Sequence, residues 1–241
     1  MQGTADAAEV AKFDALAARW WDPRGPMAPL HAMNPLRTGW ILGRLPDPRR
    51  CPTPPRLLDV GCGAGLAAEV FARAGYAVVG LDAAPEALAA ARAHAAAAGL
   101  AIDYRAGGPE ALAAEEAQSF DAVVALEVVE HVPDIRAFLA ALARLLKPGG
   151  RIFLSTINRT ARSFLMAKLG AEYLLRLLPI GTHDWRRFVT PAELAAALRA
   201  VGIRPAESAG MSFDPLRRSW RESRDVSVNY LMMGQKPAAG G

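Results

Sequence analysis

The run Leu57-Leu58-Asp59-Val60-Gly61-Cys62-Gly63-Ala64-Gly65 places glycines at alternate positions behind a short apolar stretch, and a carboxylate, Asp82, stands about 20 residues further on. Glycines, lacking Cβ atoms, let the chain turn tightly and let a ligand approach the main chain. A carboxylate at the end of the next strand can accept both hydroxyls of a ribose. An ordinary turn or helix cap accounts for either feature alone; together, on one strand-turn-helix-strand unit, they describe a nucleoside site. Further along, Glu127, Glu130 and His131 follow the apolar run from Asp121 to Leu126. Two carboxylates and an imidazole just beyond a strand could ligate a hard cation such as Mg²⁺ or supply a base.

Exclusion narrows the nucleoside. The dinucleotide fingerprint has glycine at the first, third and sixth places, and here the sixth is Leu66. No Lys-Ser or Lys-Thr pair follows the turn, so it is not a phosphate-cradling P-loop. None of Tyr76, Tyr104, Tyr173 and Tyr230 has a lysine four residues on, which weakens a nicotinamide redox reading. An adenosine cofactor without phosphates suits a close backbone approach of this kind.

Positioning these residues requires an alternating α/β frame. Strand signals at 56–60, 77–81, 102–105, 121–126 and 151–155 are each followed by a turn or helix pattern, which gives a parallel sheet with helices on both faces. Two more strands, near 203–211 and 226–234, bring the mostly parallel sheet to seven. Alanine is the best helix former, so the alanine-rich run from Glu86 to Ala98 reads as a helix opened by Pro85 and closed by Gly99. Lys147-Pro148-Gly149-Gly150 reads as a turn between a helix and the fifth strand. Thr190-Pro191-Ala192-Glu193 combines an N-cap, a first-turn proline and a capping-box glutamate for a helix to Ala200, with Gly202 after it. Outside the alternation lie an N-terminal extension, 1–50, with helices expected at 8–19 and from Asn34-Pro35 to Leu45, and a helical insert, 159–188, after the fifth strand. The whole of 1–241 is expected to form one domain.

Bulk properties agree. Of 241 residues, 52% are hydrophobic and 22% charged, enough apolar surface for a core and no sign of disorder. Cys51 and Cys62 belong to no ligand-spaced cluster, and a reduced, cytosolic setting is expected. Asp6 and Glu9 precede any apolar run, unlike a signal peptide, and no window of about 18 uncharged apolar residues exists to span a membrane. The net charge of +4 is mild, and neither an Asn-Pro-Pro-Tyr-like motif nor a Pro-Cys nucleophile is present, so no nucleic-acid partner is expected.

From Arg56 to about Ser155 the chain resembles class I S-adenosylmethionine methyltransferases. The residues that carry this are the glycine motif, Asp82, Phe120-Asp121-Ala122-Val123, Leu126-Glu127-Val128-Val129-Glu130-His131-Val132-Pro133-Asp134 and Lys147-Pro148-Gly149-Gly150. The resemblance implies a Rossmann-like fold and S-adenosylmethionine as cofactor. The flanks, Lys12-Phe13-Asp14 through Trp20-Trp21-Asp22, Pro29-Leu30-His31-Ala32-Met33-Asn34-Pro35-Leu36-Arg37, Ser155-Thr156-Ile157-Asn158-Arg159-Thr160, Gly170-Ala171-Glu172-Tyr173, Gly181-Thr182-His183-Asp184 and Val228-Asn229-Tyr230, resemble the ubiquinone-biosynthesis O-methyltransferases, which methylate polyprenylated catechols. The match runs from about Lys12 to Gln235 and departs mainly at Trp185 to Phe188 and in the alanine-rich helices.

This resemblance implies that Arg37 contacts the cofactor, its guanidinium fork gripping the methionyl carboxylate. It implies that Leu126 adds backbone or packing beside Gly61, Gly63 and Asp82. It also implies a substrate of the 2-polyprenyl-6-hydroxyphenol or 3-demethylubiquinol type. For Glu127, Glu130 and His131 two readings stay open: Mg²⁺ bound through both catechol oxygens, or His131 as a nearby base. A similar Glu-His-Val-Pro-Asp turn occurs in methyltransferases that use no metal. His183 and Asp184 form a second candidate pair, while His31 and His94 read as structural or solvent-facing.

The insert carries six basic residues against two acidic ones, an excess equal to the +4 of the whole chain. On a helix from 161 to 178, Leu165, Leu169, Tyr173 and Leu177 fall at four-residue spacing, the pattern of a helix packed on the sheet or lying on an anionic membrane surface. For a membrane-dwelling substrate the expected setting is the cytoplasm, peripheral on the inner face of the cytoplasmic membrane, in contact with other ubiquinone-biosynthesis enzymes. Two rivals remain: a class I enzyme acting on another small molecule, and a non-catalytic membrane-associated nucleoside-binding protein.

Overall fold

The computed structural model describes residues 10–11, 14–164, 185–214 and 219–238. Five strands run parallel in the spatial order β3 (Asp103–Ala106), β2 (Ala77–Asp82), β1 (Arg56–Val60), β4 (Phe120–Leu126) and β5 (Leu146–Ile157). Beyond β5 the sheet turns antiparallel, with β8 (Asn229–Gln235) next, then β6 (Arg204–Asp214), then β7 (Ser219–Ser223) at the edge. Strand order reverses between β1 and β4, so a crevice opens above their carboxyl ends, where α/β sheets bind ligands.

The seven expected strands are present, and β7 makes an eighth. It pairs with β6 in a hairpin, Asp214 opposite Ser219. Its sequence, Ser-Trp-Arg-Glu-Ser, has a single large apolar side chain and so carries no strand alternation to read. The Lys147-Pro148-Gly149-Gly150 turn is absorbed into β5 as an irregularity, with pairing to β4 jumping from Phe120–Leu146 to Ala122–Arg151. Gly149 takes φ +79° there, and its N–H donates to the Lys236 carbonyl at 3.1 Å.

The central strands are buried on both faces, as parallel strands between helices must be. Leu57 and Leu58 of β1 point oppositely and both have no exposed surface. Leu58, Val123 and Ala125 pack with Phe138 and Leu142 of α5 (Ile135–Leu145) and Leu194 of α6 (Pro191–Ala200), with α4 (Pro109–Glu115) beside α5. Leu57, Val124 and Phe153 pack on the other face with Ile41 of α1 (Ala28–Leu42), Phe71 of α2 (Ala68–Arg73) and Leu88 of α3 (Pro85–Ala97).

Local chemistry sets the helix ends. Asp134 caps α5, its Oδ1 accepting from the N–H groups of Arg136 at 2.9 Å and Ala137 at 3.0 Å, a contribution of about 1 kcal/mol. The capping box at α6 is complete: Thr190 Oγ1 accepts from Glu193 N–H at 3.2 Å and Glu193 Oε2 from Thr190 N–H at 2.9 Å. The first helix, expected to open at Asn34-Pro35, instead begins at Ala28 with Pro29 in its first turn and carries Pro35 inside. Interior proline costs about 3 kcal/mol, and the buried side chains of Met33, Arg37, Trp40 and Ile41 hold the helix through it. Upstream, Val10, Ala11 and Asp14 are helical within the helix expected at 8–19, and its end is a 3-10 turn at Ala17–Arg19. Residues 161–164 are helical; most of the expected insert helix, with His183 and Asp184, lies outside the described residues.

Candidate active site

Gly61, Gly63 and Gly65 turn the chain from β1 toward α2 with φ of +69°, +52° and +87°. A Cβ added to Gly63 would meet Trp20 Cζ2 at 2.3 Å, and one added to Gly61 would meet Val128 Cγ2 at 2.5 Å. Both the backbone and the close approach therefore require glycine. Asp82, at the end of β2, ties the turn to the neighbouring strand: Oδ2 accepts from Gly63 N–H at 2.7 Å and Oδ1 from Ala84 N–H at 2.8 Å. Burial raises its pKa, and the N–H groups of Ala84, Gly63 and Ala83 oppose that shift.

Arg37 enters the crevice from α1. Its side chain is 4% exposed, and Nη1 lies 3.6 Å from Glu127 Oε1, too far for a hydrogen bond. Neither Nε nor Nη1 has a hydrogen-bond partner among the described residues. Burial lowers the guanidinium pKa, while the charges of Glu127, Asp59 and Glu130 pull it back up. Open, desolvated donors of this kind call for an anionic acceptor.

Two of the acids around Arg37, Asp59 and Glu130, are buried too, and Glu127 is 16% exposed. Asp59, within β1, is 2% exposed, and its Oδ2 has no partner among the described residues. Its pKa is pushed up to about 7 by burial and by the charge of Asp82, against the pull of Arg37. Glu127, just past β4, holds φ +57°, a conformation costing roughly 1–2 kcal/mol outside glycine. Its N–H donates to the Ser155 carbonyl at 3.0 Å, and Ser155 Oγ donates to its Oε1 at 2.6 Å. Glu130 is 3% exposed and accepts from Thr156 Oγ1 at 2.8 Å through Oε2, with Oε1 open among the described residues. Burial and the charge of Glu127 raise its pKa.

His131 and Leu126 line the same crevice, with the His131 N–H donating to the Val128 carbonyl at 2.9 Å. Glu127, Glu130 and His131 thus share one wall. They do not converge: among the described residues no three His, Cys, Asp or Glu side chains are gathered to hold a metal ion. Glu127 is drawn to Ser155 and Arg37, and Glu130 to Thr156.

The crevice is a cavity of about 570 Å³ whose remaining walls are largely apolar, among them Met27, Leu30, Val128, Val132 and Ile157. An N-terminal strap closes one side. Trp20 lies on Gly63, its carbonyl accepting from His31 Nε2 at 2.8 Å. Trp21 Nε1 donates to the Ala64 carbonyl at 3.0 Å, and its ring stacks on His94 at 3.4 Å between centroids. His94 in turn donates through Nδ1 to the buried Glu69 at 2.6 Å. His31 and His94 therefore hold the strap.

Gly61, Asp82, Arg37, Leu126, Glu127, Glu130 and His131 all line this one cavity, whereas Gly63 lies behind its wall, under the Trp20 ring. Sequence reasoning assigned no role to Asp59, Asn34 or the strap. An acid inside a strand otherwise buried on both faces was the available signal for Asp59, and an amide one helical turn before Arg37 was the signal for Asn34.

Residues 58–154 match the family model described as a methyltransferase domain. The chain is 49% identical, over 98% of its length and 95% of the relative, to the ubiquinone biosynthesis O-methyltransferase of Azorhizobium caulinodans. It is 50% identical, over 98% of both chains, to that of Dinoroseobacter shibae. Among solved structures it is similar to magnesium protoporphyrin IX methyltransferase from Synechocystis PCC 6803 with bound SAH, at a TM-score of 0.65 and 18% identity over 94% of each chain. That likeness carries the fold, whereas near-half identity along almost the entire length carries more: the chain belongs to the ubiquinone biosynthesis O-methyltransferase family.

Proposed function

We propose that this chain transfers the methyl group of S-adenosylmethionine to a hydroxyl of a polyprenylated catechol, of the 2-polyprenyl-6-hydroxyphenol and 3-demethylubiquinol type. The observation that carries the proposal is Arg37: a buried guanidinium, two of its donors without a partner among the described residues, on a residue that lines the same cavity as Gly61 and Asp82. These residues suit the cofactor. Arg37 would hold its carboxylate, Asp82 its ribose hydroxyls, Gly61 and Gly63 the close approach of its body, and Leu126 would pack beside it. When bound, the cofactor supplies a methyl group on an electrophilic sulfonium.

The chain's own share is alignment, exclusion of water and deprotonation. Apolar walls such as Val128, Val132 and Ile157 suit an aromatic ring with a prenyl tail and keep water from it. His131 takes the hydroxyl proton. A second reading, in which Glu127, Glu130 and His131 hold Mg²⁺, is weakened by their separation, since among the described residues these side chains are not gathered to hold a metal ion. The cation would then lower the pKa of the catechol. Assay with and without chelator, on the wild type and Glu130→Gln, separates the two, since equal chelator resistance removes the cation.

Among the described residues no helix is long and apolar enough to cross a membrane. A peripheral seat on anionic lipid at the inner face of the cytoplasmic membrane, through 159–188, would bring a lipid-borne catechol to the cavity, in contact with other ubiquinone-biosynthesis enzymes. Phe164 at 43% and Trp185 at 38% exposure are exposed aromatics on that segment. Purified protein given S-adenosylmethionine and a short-prenyl catechol should yield the methyl ether and S-adenosylhomocysteine. Cofactor binding with no turnover on any catechol would overturn the substrate assignment. Absence of co-sedimentation with anionic vesicles would overturn the membrane seat.

A further inference from the structure

Asn34 stands three residues before Arg37 on α1, so the two side chains share a helix face, and both line the cavity. Its orientation is set by Nδ2, which donates to the Leu66 carbonyl at 2.8 Å. Its Oδ1, on a residue only 7% exposed, has no hydrogen-bond partner among the described residues. An open buried acceptor costs as much as an open donor and calls for a ligand donor. Asp59 Oδ2 is a second open acceptor, and the Asp59 charge is felt by Arg37. Three residues that line the cavity therefore carry, among the described residues, unpartnered guanidinium donors, an unpartnered amide oxygen and an unpartnered carboxylate oxygen. That set complements a zwitterionic amino acid, with carboxylate to the donors and ammonium to the acceptors. A prenylated catechol has no use for it.

We propose that Asn34 is a specificity-determining residue for the amino-acid end of the cofactor, its Oδ1 accepting a hydrogen bond from the α-ammonium while Arg37 holds the carboxylate and Asp59 balances the charge. This rests on the S-adenosylmethionine reading above. Asn34 has two separable jobs, the Nδ2 bond that steadies Leu66 beside the glycine turn and the Oδ1 contact that selects an ammonium.

The test is calorimetry with three probes: S-adenosylhomocysteine, its deaminated analogue and 5′-methylthioadenosine, which lacks the amino-acid end altogether. The wild type should bind S-adenosylhomocysteine on the order of ten- to a hundredfold more tightly than the deaminated analogue, as a charge-assisted hydrogen bond warrants. Asn34→Leu should shrink that ratio by about tenfold, while any loss of 5′-methylthioadenosine affinity from the missing Nδ2 bond to Leu66 should be no larger than in Asn34→Asp. Asn34→Asp keeps an acceptor but gives up the donor to Leu66, and it should retain the ratio. Equal weakening of all three probes in Asn34→Leu, or no change in any, overturns the inference. If Asn34→Leu does not fold, Asn34→Asp decides alone, and loss of its ratio overturns the inference. A wild type that binds none of the probes overturns the cofactor reading itself, whereas one that binds S-adenosylhomocysteine without discriminating the deaminated analogue overturns only the role of Asn34.

Discussion

Replacing Arg37 by lysine keeps the positive charge among Asp59, Glu127 and Glu130 but removes the planar fork. Two guanidinium donors, Nε and Nη1, have no partner among the described residues, and a carboxylate gripped by the fork would take two parallel N–H bonds, one of them from Nη2. A lysine ammonium can replace one such bond, so the loss is one charge-assisted hydrogen bond, about 1.5–3 kcal/mol. That corresponds to roughly 10- to 150-fold weaker binding of S-adenosylhomocysteine. Because the counter-charge survives, thermal stability should change little. Arg37→Met instead leaves two buried acids and the half-buried Glu127 without their cation, and breaking a buried pair costs about 3–5 kcal/mol. Protonation of Asp59 and Glu130, whose pKa values are already raised, relieves part of that. Calorimetry reads the first effect and thermal melts the second, with 5′-methylthioadenosine as a ligand that never reaches Arg37. A lysine variant that binds S-adenosylhomocysteine within about twofold of wild type would show that Arg37 does not grip the carboxylate.

Asp59 gives a pH dependence with a definite sign. Its folded-state pKa is raised from 3.8 to about 7, so the folded state holds a proton that the unfolded chain has released. Unliganded stability should fall as pH rises from about 4 to about 7, by up to about 1.4 kcal/mol per pH unit from this group; melts of Asp59→Asn should show a shallower fall, and an unchanged slope would refute the assignment. Gly63→Ala must place a methyl group at φ +52° and 2.3 Å from Trp20, which should displace the strap, lower the melting temperature and abolish tight cofactor binding. Tryptophan fluorescence reads the displacement, and a wild-type spectrum with wild-type affinity would contradict it. His131→Ala should lower kcat by about 10²- to 10⁴-fold with S-adenosylhomocysteine affinity unchanged, and normal kcat with the same substrate would remove His131 from the chemistry.

Features that depend on neighbouring residues were legible in the sequence. The glycines at 61, 63 and 65 need left-handed backbone, Thr190 caps its helix, and the alternation of strands with helices fixes a mostly parallel sheet. Where two local signals competed, the reading slipped. Pro35 looked like a helix opener, yet Pro29 holds that place and side-chain burial carries α1 across Pro35. The edge strand β7 is stabilised by pairing with β6 and by packing beside α1, neither of which appears in its own residues. Long-range contacts were hardest to see. Arg37 came only through family resemblance, because nothing in the stretch Asn34-Pro35-Leu36-Arg37 says that its arginine will be 4% exposed and open.

The concentration of acid around Arg37 links stability to function. Asp59, Glu127 and Glu130 all act on one guanidinium, and in the unliganded protein Asp59 and Glu130 are driven toward their neutral forms by burial and by neighbouring negative charge. Hydrophobic residues would fill the same volume at less cost. Glu127 additionally holds a backbone angle that favours glycine, the kind of local strain that persists only where surrounding structure enforces it. These costs fall on residues that line one cavity, and Arg37, Asp59 and Glu130 each keep a buried polar atom without a partner among the described residues. A zwitterion carrying a further sulfonium charge would relieve them together: its carboxylate answers Arg37, its ammonium answers Asn34 and Asp59, and its added positive charge favours the ionised acids. The same charges give a neutral nucleoside nothing beyond its ribose contact to Asp82. Discrimination in this site therefore resides in the α1 and β1 residues around Arg37, and the glycine turn that first marks the cavity serves mainly to bring the ligand within their reach.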